Sequence, residues 1–247
     1  MPIDVRFLRD FYGTPLGHRA AGDFLRVLSA MAPPPGGKML CVGYGLPLFS
    51  FVNDQKTQIF WSMPARQGIM PWPPEHPARA VLLEESRLPF AHETFDTIVL
   101  IHSLEFTRDP EDFLNEILRV ATRAASILLI VPNRLGLWAH MDQTPFGYGH
   151  PYSLFQLTDA LRACSLKIVA KKAALSFFPS KYAWARHPLW SRFWPQPLAG
   201  AWCVRVERGA VAAPKPAFVY SGLSVRGSVP QPSGCGRSAP SLIQEKP

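Results

Sequence analysis

The apolar residues of this 247-residue chain fall into short runs separated by proline- and glycine-rich breaks, and the spacing within each run indicates the element it predicts. Residues 18–31 (HRAAGDFLRVLSAM) set Phe24, Leu25 and Leu28 at helical spacing, and the Pro-Pro-Pro-Gly-Gly run that follows stops that helix. Residues 38–52 open as a short strand and turn at Gly43-Tyr44-Gly45. TQIFW (57–61) and ARAVLL (78–83) are two further strands, and the five prolines between them make an irregular connection rather than a helix. DTIVLIHSL (96–104) is a fourth strand. Asp109 then offers an N-cap, Pro110 suits the first helical position, and Glu111 and Asp112 favour the positive end of the helix dipole. The apolar face of that helix is Phe113, Leu114, Ile117, Leu118 and Ala121. ASILLIVPN (125–133) is apolar almost throughout, as in a strand buried on both faces. Ser153 and Gln156 match a capping box, with a helix running on to about Ala163; LKIVAKKAAL (166–175) and AGAWCVRVERG (199–209) complete the strands. This alternation predicts a parallel sheet with its ligand at the carboxyl edge of the strands.

Composition adds limits. The length allows one substantial core and a tail. The chain has no apolar run of 18 residues or more, and MPIDVRFLRD is too charged for a secretory signal. Cys41, Cys164, Cys203 and Cys235 are scattered without metal-type pairing and read as free thiols in a reducing cytoplasm. From residue 209 on, Pro, Gly, Ser and Ala dominate without periodicity, which predicts a disordered tail. Charge is uneven: residues 1–162 hold 14 basic and 16 acidic side chains, whereas residues 163–247 hold 12 and 2. A basic flank of this kind either meets an anionic partner or is a solvated face. Residues 177–194 hold seven aromatics, three Lys or Arg and no acid. That mixture suits a packed lid, a peripheral membrane contact or lipid-like substrate, and, least of the three, stacking on nucleic acid.

The stretch from Val81 to Asn133 resembles the second half of a class I S-adenosylmethionine-dependent methyltransferase domain of the type 11 kind, through EESRLPF (84–90), Phe95-Asp96 and NEILRV (115–120). The resemblance implies an α/β, doubly wound, mostly parallel seven-stranded sheet with helices on both faces and an antiparallel hairpin at one edge, which the strands near 166–175 and 198–207 fit. It divides the chain into an N-terminal helical cover (1–35), a methyltransferase-like domain (36–208) with an aromatic and basic insertion (176–197), and the tail (209–247). The implied function is methyl transfer from S-adenosylmethionine to a small or lipid-like acceptor, in the cytoplasm or peripheral to the membrane. The alternative is a methyltransferase fold that has lost catalysis and serves as a binding or scaffold module.

The implied cofactor site begins at Gly43, Tyr44 and Gly45, where a strand must turn sharply beside a ligand. The motif departs from the family: Cys41 stands where an acid is usual, and Pro47 where a third glycine is. The acid that grips the ribose hydroxyls should fall near Trp61, and none is there. Backbone around Ser62 and Met63, or the Gln67 amide, could replace it. Glu84 fits the acceptor for the adenine amino group, with Glu85 as its neighbour. Phe90 and Phe95 read as core and Asp96 as a backbone cap. His102 and Glu105 sit at the end of the fourth strand, and His102 could contact the cofactor, act as a base, or simply bond to backbone. The long connection over residues 133–153 is expected to cover the substrate, with Tyr148 and His150 as acid–base candidates, and the resemblance implies a second cover in FYGTPLGH (11–18). Methyl transfer needs chiefly alignment and exclusion of water, so a fixed catalytic triad is not required. All of this supposes a nucleoside pocket where the Tyr44 turn, the Glu84 corner and the His102 edge converge.

Overall fold

The structure, a computed structural model, describes residues 3–34, 36–45, 48, 56–69, 80–84, 87–179 and 195–209. The predicted tail from residue 210 on, most of the aromatic and basic segment (180–194) and Glu85 lie outside the described residues.

Two helices come first, α1 (Val5–Tyr12) and α2 (Pro15–Ser29), followed by β1 (Gly37–Gly43), β2 (Thr57–Pro64), β3 (Ala80–Leu83) and β4 (Phe95–Ile101). Then come α3 (Pro110–Val120), β5 (Ala121–Pro132), α4 (Leu154–Ala163), β6 (Leu166–Ala174) and β7 (Ala201–Arg208). The strands form one sheet in the order β3-β2-β1-β4-β5-β7-β6. The first five run parallel, and β7 runs antiparallel to both β5 and β6. This is the doubly wound, mostly parallel sheet that the chain order predicts, with the hairpin at one edge. Among the described residues, no helix is long and apolar enough to cross a membrane.

The alternation of strand side chains divides the interior into two cores. Met39, Cys41, Val99, Ile101, Leu128 and Ile130 face α1 and α2, while Leu40, Val42, Ile98, Leu100, Ile127 and Leu129 face α3 and α4. A strand buried on both sides has no polar face, which is why β4 and β5 read as continuous apolar runs.

Helix starts follow their caps. Asp109 Oδ1 accepts from the backbone N–H of Glu111 (3.1 Å) and Asp112 (3.0 Å), and Ser153 with Gln156 closes the expected capping box. The second helix begins earlier than its apolar spacing suggests, because Thr14 caps it and Pro15 takes the first helical position. The first helix is not apparent in the apolar pattern; Asp4 caps it by accepting from Arg6 N at 3.0 Å. The third helix gives way directly to β5 at Ala121, which pairs with Phe95, so Ala121 closes the strand ladder instead of the helix face.

The Leu88-Pro89-Phe90 turn is held from α3. Arg119 donates to Leu88 O (3.0 Å) and Phe90 O (2.9 Å) and pairs twice with Glu116, whose Oε1 accepts from Leu88 N at 2.7 Å. Arg119 holds the Glu116 carboxyl below the usual glutamate range. The contribution of this pair is therefore complete at neutral pH and is lost only as acid protonates Glu116 below its unfolded value. Arg119→Ala should cost about 2 kcal/mol of stability, because charge-assisted bonds to two backbone carbonyls go with it. Urea unfolding measures this, and an unchanged midpoint would show that the turn holds without Arg119.

Candidate functional site

The carboxyl ends of β1, β2, β3 and β4 lie along one edge of the sheet. Gly43 pairs with Ile101, so the Tyr44 turn and His102 emerge side by side. Pro64 pairs with Leu83, which places Glu84 on the same edge, beyond β2. The three predicted places thus share one edge.

The turn after β1 is tighter than a ligand alone demands. Gly43 has φ +93°, and a Cβ on it would run into the Ile101 carbonyl oxygen. A Cβ on Gly45 would meet Cys41 Sγ. Trp61 Nε1 donates to Gly43 O at 2.7 Å, fixing the turn from β2. Both glycines are therefore required by the protein's own atoms.

The first helix lies across this edge. The Tyr12 ring stacks on Tyr44 with centroids 5.6 Å apart and planes at 18°. Its hydroxyl meets His102 Nε2 at 2.8 Å, and His102 Nδ1 lies 3.3 Å from Glu105 Oε1. Tyr12 thereby fills the space between the Tyr44 turn and His102. Burial pushes the Tyr12 phenol well above its ordinary value, with the Glu105 charge adding to the shift, and burial raises Tyr44 to about 12. Both phenols stay protonated at neutral pH.

His102 is held on every side. Its backbone takes φ +51°, unusual for a residue with a side chain, and its carbonyl accepts from Gln67 Nε2. Phe146 packs 5.2 Å from its ring. His102 and Glu105 are 1% and 0% exposed, so this pair carries no solvent screening. Three buried side-chain atoms here have no hydrogen-bond partner: Gln67 Oε1, Ser103 Oγ and Glu105 Oε2. A residue in a strained conformation beside orphaned acceptors indicates that the edge is arranged for a polar group.

The other predicted residues are distributed as follows. The second strand continues past Trp61, which pairs with Cys41 in mid-strand, to Pro64. The strand end therefore reads Pro64-Ala65-Arg66-Gln67, and it too lacks an acid. Ser62 Oγ donates to Cys41 O and Met63 is fully buried, so both side chains belong to the interior. Gln67 Nε2 is spent on the His102 carbonyl, and its Oε1 is left without a partner. Glu84 is exposed at the end of β3. Tyr148 donates its hydroxyl to Asp142 O at 2.8 Å and packs edge-on against Phe7. The His150 side chain is exposed, while its backbone N–H donates to Glu105 O at 2.7 Å.

The long connection after β5 is anchored rather than loose. Asn133 Nδ2 donates to Pro197 O and Ala199 O, and Trp138 Nε1 donates to Phe177 O. Its Phe146 reaches both His102 and Phe11, so this segment does cover the His102 edge. Tyr12 is the site residue that the apolar pattern misses. Its only local sign is the spacing of Val5, Leu8 and Tyr12 behind the Asp4 cap. Among the described residues no group of three or more His, Cys, Asp or Glu could hold a metal.

Residues 73–129 match the model of a methyltransferase domain. A SAM-dependent methyltransferase from Thermotoga maritima superposes with a TM-score of 0.58 at 15% identity, over 83% of this chain and 96% of that one. One from Aquifex aeolicus gives 0.54 at 16% identity, over 83% and 98%. Geranyl diphosphate C-methyltransferase from Streptomyces coelicolor, solved with Mg2+, geranyl diphosphate and S-adenosyl-L-homocysteine, gives 0.54 at 11% identity, over 81% and 86%. No curated protein sequence matches the chain.

Proposed function

We propose that this chain, a class I S-adenosylmethionine-dependent methyltransferase by fold and by the domain signature of residues 73–129, binds S-adenosylmethionine along the carboxyl edge of β1 to β4 and transfers its methyl group to a small or lipid-like acceptor. The observation that carries this reading is the cluster of unpartnered acceptors around His102. An ammonium group such as the one on the methionine end of the cofactor donates three hydrogen bonds. Gln67 Oε1, Ser103 Oγ and Glu105 Oε2 are the groups here that lack donors. Glu84, exposed at the far end of the same edge, is our candidate acceptor for an adenine amine, with Glu85 beside it in sequence. The cofactor supplies an electrophilic methyl whose departure leaves the electron pair on sulfur.

The chain's residues bind, orient and exclude water. Glu105 orients the His102 ring through Nδ1 and leaves Nε2, now bonded to Tyr12, as the position that can take a proton from an acceptor. Tyr148 and His150 remain proposals for acid–base work. Tyr148 needs its hydroxyl released from Asp142 O, and His150 needs its exposed ring turned inward. Peripheral membrane contact through residues 177–194 is part of this proposal; most of that segment lies outside the described residues, and its described part includes Phe178, 41% exposed.

A second reading has its own support: Tyr12 fills the edge, and the ribose acid is missing at the end of β2. A methyltransferase fold kept as a binding or scaffold module accounts for both. Calorimetry with S-adenosylhomocysteine separates the two. Micromolar binding by the wild-type chain, weakened at least tenfold by Glu105→Gln, supports the enzyme. Absence of binding at millimolar ligand, in the wild type and in a variant that removes the Tyr12 side chain, supports the scaffold.

A further inference from the structure

The first helix has two faces, and only one belongs to the sheet edge. Leu8, Phe11 and Tyr12 all belong to the core, and on the adjoining face Phe7 and Asp10, together with Phe11, line a cavity of about 670 Å3. The opposite walls come from the N-terminal turn of α2 (Leu16), from the anchored connection (Met141, Gln143) and from Phe178. The volume is that of a site for a ligand of drug size, and its walls are predominantly apolar and aromatic.

The geometry points to this cavity as the compartment that receives the methyl acceptor, with Phe11 and Tyr12 as the partition between it and the His102 edge; this rests on the methyltransferase reading above. Two observations support the partition. The Phe11 ring, in the cavity wall, contacts both the Tyr12 ring (5.1 Å) and the Phe146 ring (6.0 Å). Tyr12 and Phe146 in turn both contact His102. Phe11, and behind it Tyr12 and Phe146, therefore stand between the cavity and the histidine. Phe11 and Tyr12 are neighbours on one helix, so their withdrawal together joins the two spaces.

The lining also sets the class of ligand. Among the described lining residues the formal charge is the carboxylate of Asp10, with Arg9 pairing to Oδ1 from outside the wall. Polar contact otherwise comes from groups such as the Gln143 amide, since Thr144 already donates its hydroxyl to backbone carbonyls and Thr14 Oγ1 caps α2. The acceptor is an apolar molecule with an aromatic ring or short alkyl chain, and it is neutral or carries one ammonium. A carboxylate or phosphate of the same size is disfavoured. Because the Arg9–Asp10 pair is exposed, the preference for an amine over an anion is modest, about three- to tenfold.

Nile red, neutral and fluorescent in apolar surroundings, is the probe. Its fluorescence should rise on binding the full-length chain. 4-Phenylbutylamine should displace it about three- to tenfold better than 4-phenylbutyrate. Asp10→Asn should abolish that preference and leave Nile red binding intact. Met141→Trp fills the cavity from one wall and Leu16→Trp from another; either, shown folded by circular dichroism, should weaken Nile red at least tenfold. Undiminished Nile red binding in both folded tryptophan variants overturns the proposal, as does equal or better displacement by the carboxylate. The methyltransferase reading is scored separately, by S-adenosylhomocysteine calorimetry on the same samples. Cofactor binding with Nile red untouched by either tryptophan sinks the cavity alone. Nile red lost to the tryptophans without cofactor binding keeps the cavity as a ligand site and sinks its role as an acceptor compartment.

Discussion

Gly43→Ala is expected to destabilise the protein by about 3–5 kcal/mol, enough to leave a marginal domain largely unfolded. Two costs combine. Alanine at φ +93° is strained whatever surrounds it, and its Cβ is driven against the Ile101 carbonyl oxygen, a backbone atom fixed in the β1–β4 ladder. The turn cannot move away without breaking the Trp61 bond to Gly43 O, nor β4 without breaking its ladder with β1. Gly45→Ala is a contrasting case, because its Cβ meets a side-chain atom, Cys41 Sγ. The cost there should be smaller and should fall further in the double variant Cys41→Ala/Gly45→Ala, where the obstructing sulfur is gone. Urea denaturation of the four proteins measures the series. A fully stable Gly43→Ala protein that had lost cofactor binding would reverse the assignment and make the glycine a ligand contact, not a folding requirement.

That distinction matters for how much of the site can be read from the sequence. Gly43-Tyr44-Gly45 after a strand is legible as a turn, but a turn motif does not say whether a ligand or the neighbouring strand needs the missing Cβ. Here the neighbouring strand does, through Ile101, a residue 58 positions away. The second half of the sheet is legible because its signals are local: Asp109 and Ser153 cap their helices, and β4 and β5 show the apolar runs of doubly buried strands. The end of β2 is not. The apolar run stops at Trp61, but Ser62, Met63 and Pro64 continue the pairing. Tyr12 is harder still. Its partners are Tyr44 and His102, the latter 90 residues distant. The family resemblance implies a cover over residues 11–18, but nothing in DVRFLRDFYG itself assigns its tyrosine to the gap between Tyr44 and His102. Sequence spacing finds elements and caps; it does not find which side chain of one element fills the mouth of another.

Removing that side chain should raise affinity for S-adenosylhomocysteine, even though it removes contacts. In the closed arrangement Tyr12 gains a stacked pair with Tyr44, about 0.5–1.5 kcal/mol, and a buried hydrogen bond to His102, about 0.5–1.5 kcal/mol. Any ligand that needs the space between Tyr44 and His102 must first displace both, so its apparent affinity is lowered by the fraction of molecules that are open. Losing a bias of about 1–3 kcal/mol corresponds to a gain of about 5- to 150-fold. Tyr12→Ala should therefore bind most tightly, Tyr12→Phe, which keeps the stack and loses only the hydroxyl, about 2- to 10-fold better than wild type, and wild type least. Thermal stability should run in the opposite order, because the alanine leaves a void between Phe11, Tyr44 and His102. The raised phenol values predict that affinity changes little between pH 6 and 9 on account of Tyr12, since it stays protonated throughout. Calorimetry on the three proteins decides the matter. Weaker binding in both variants would make Tyr12 a contact of the bound cofactor and the closed arrangement its resting approximation. An order of affinities that follows the loss of Tyr12 contacts makes α1 the door of the site, and it makes the two faces of one eight-residue helix the hinge between methyl donor and acceptor.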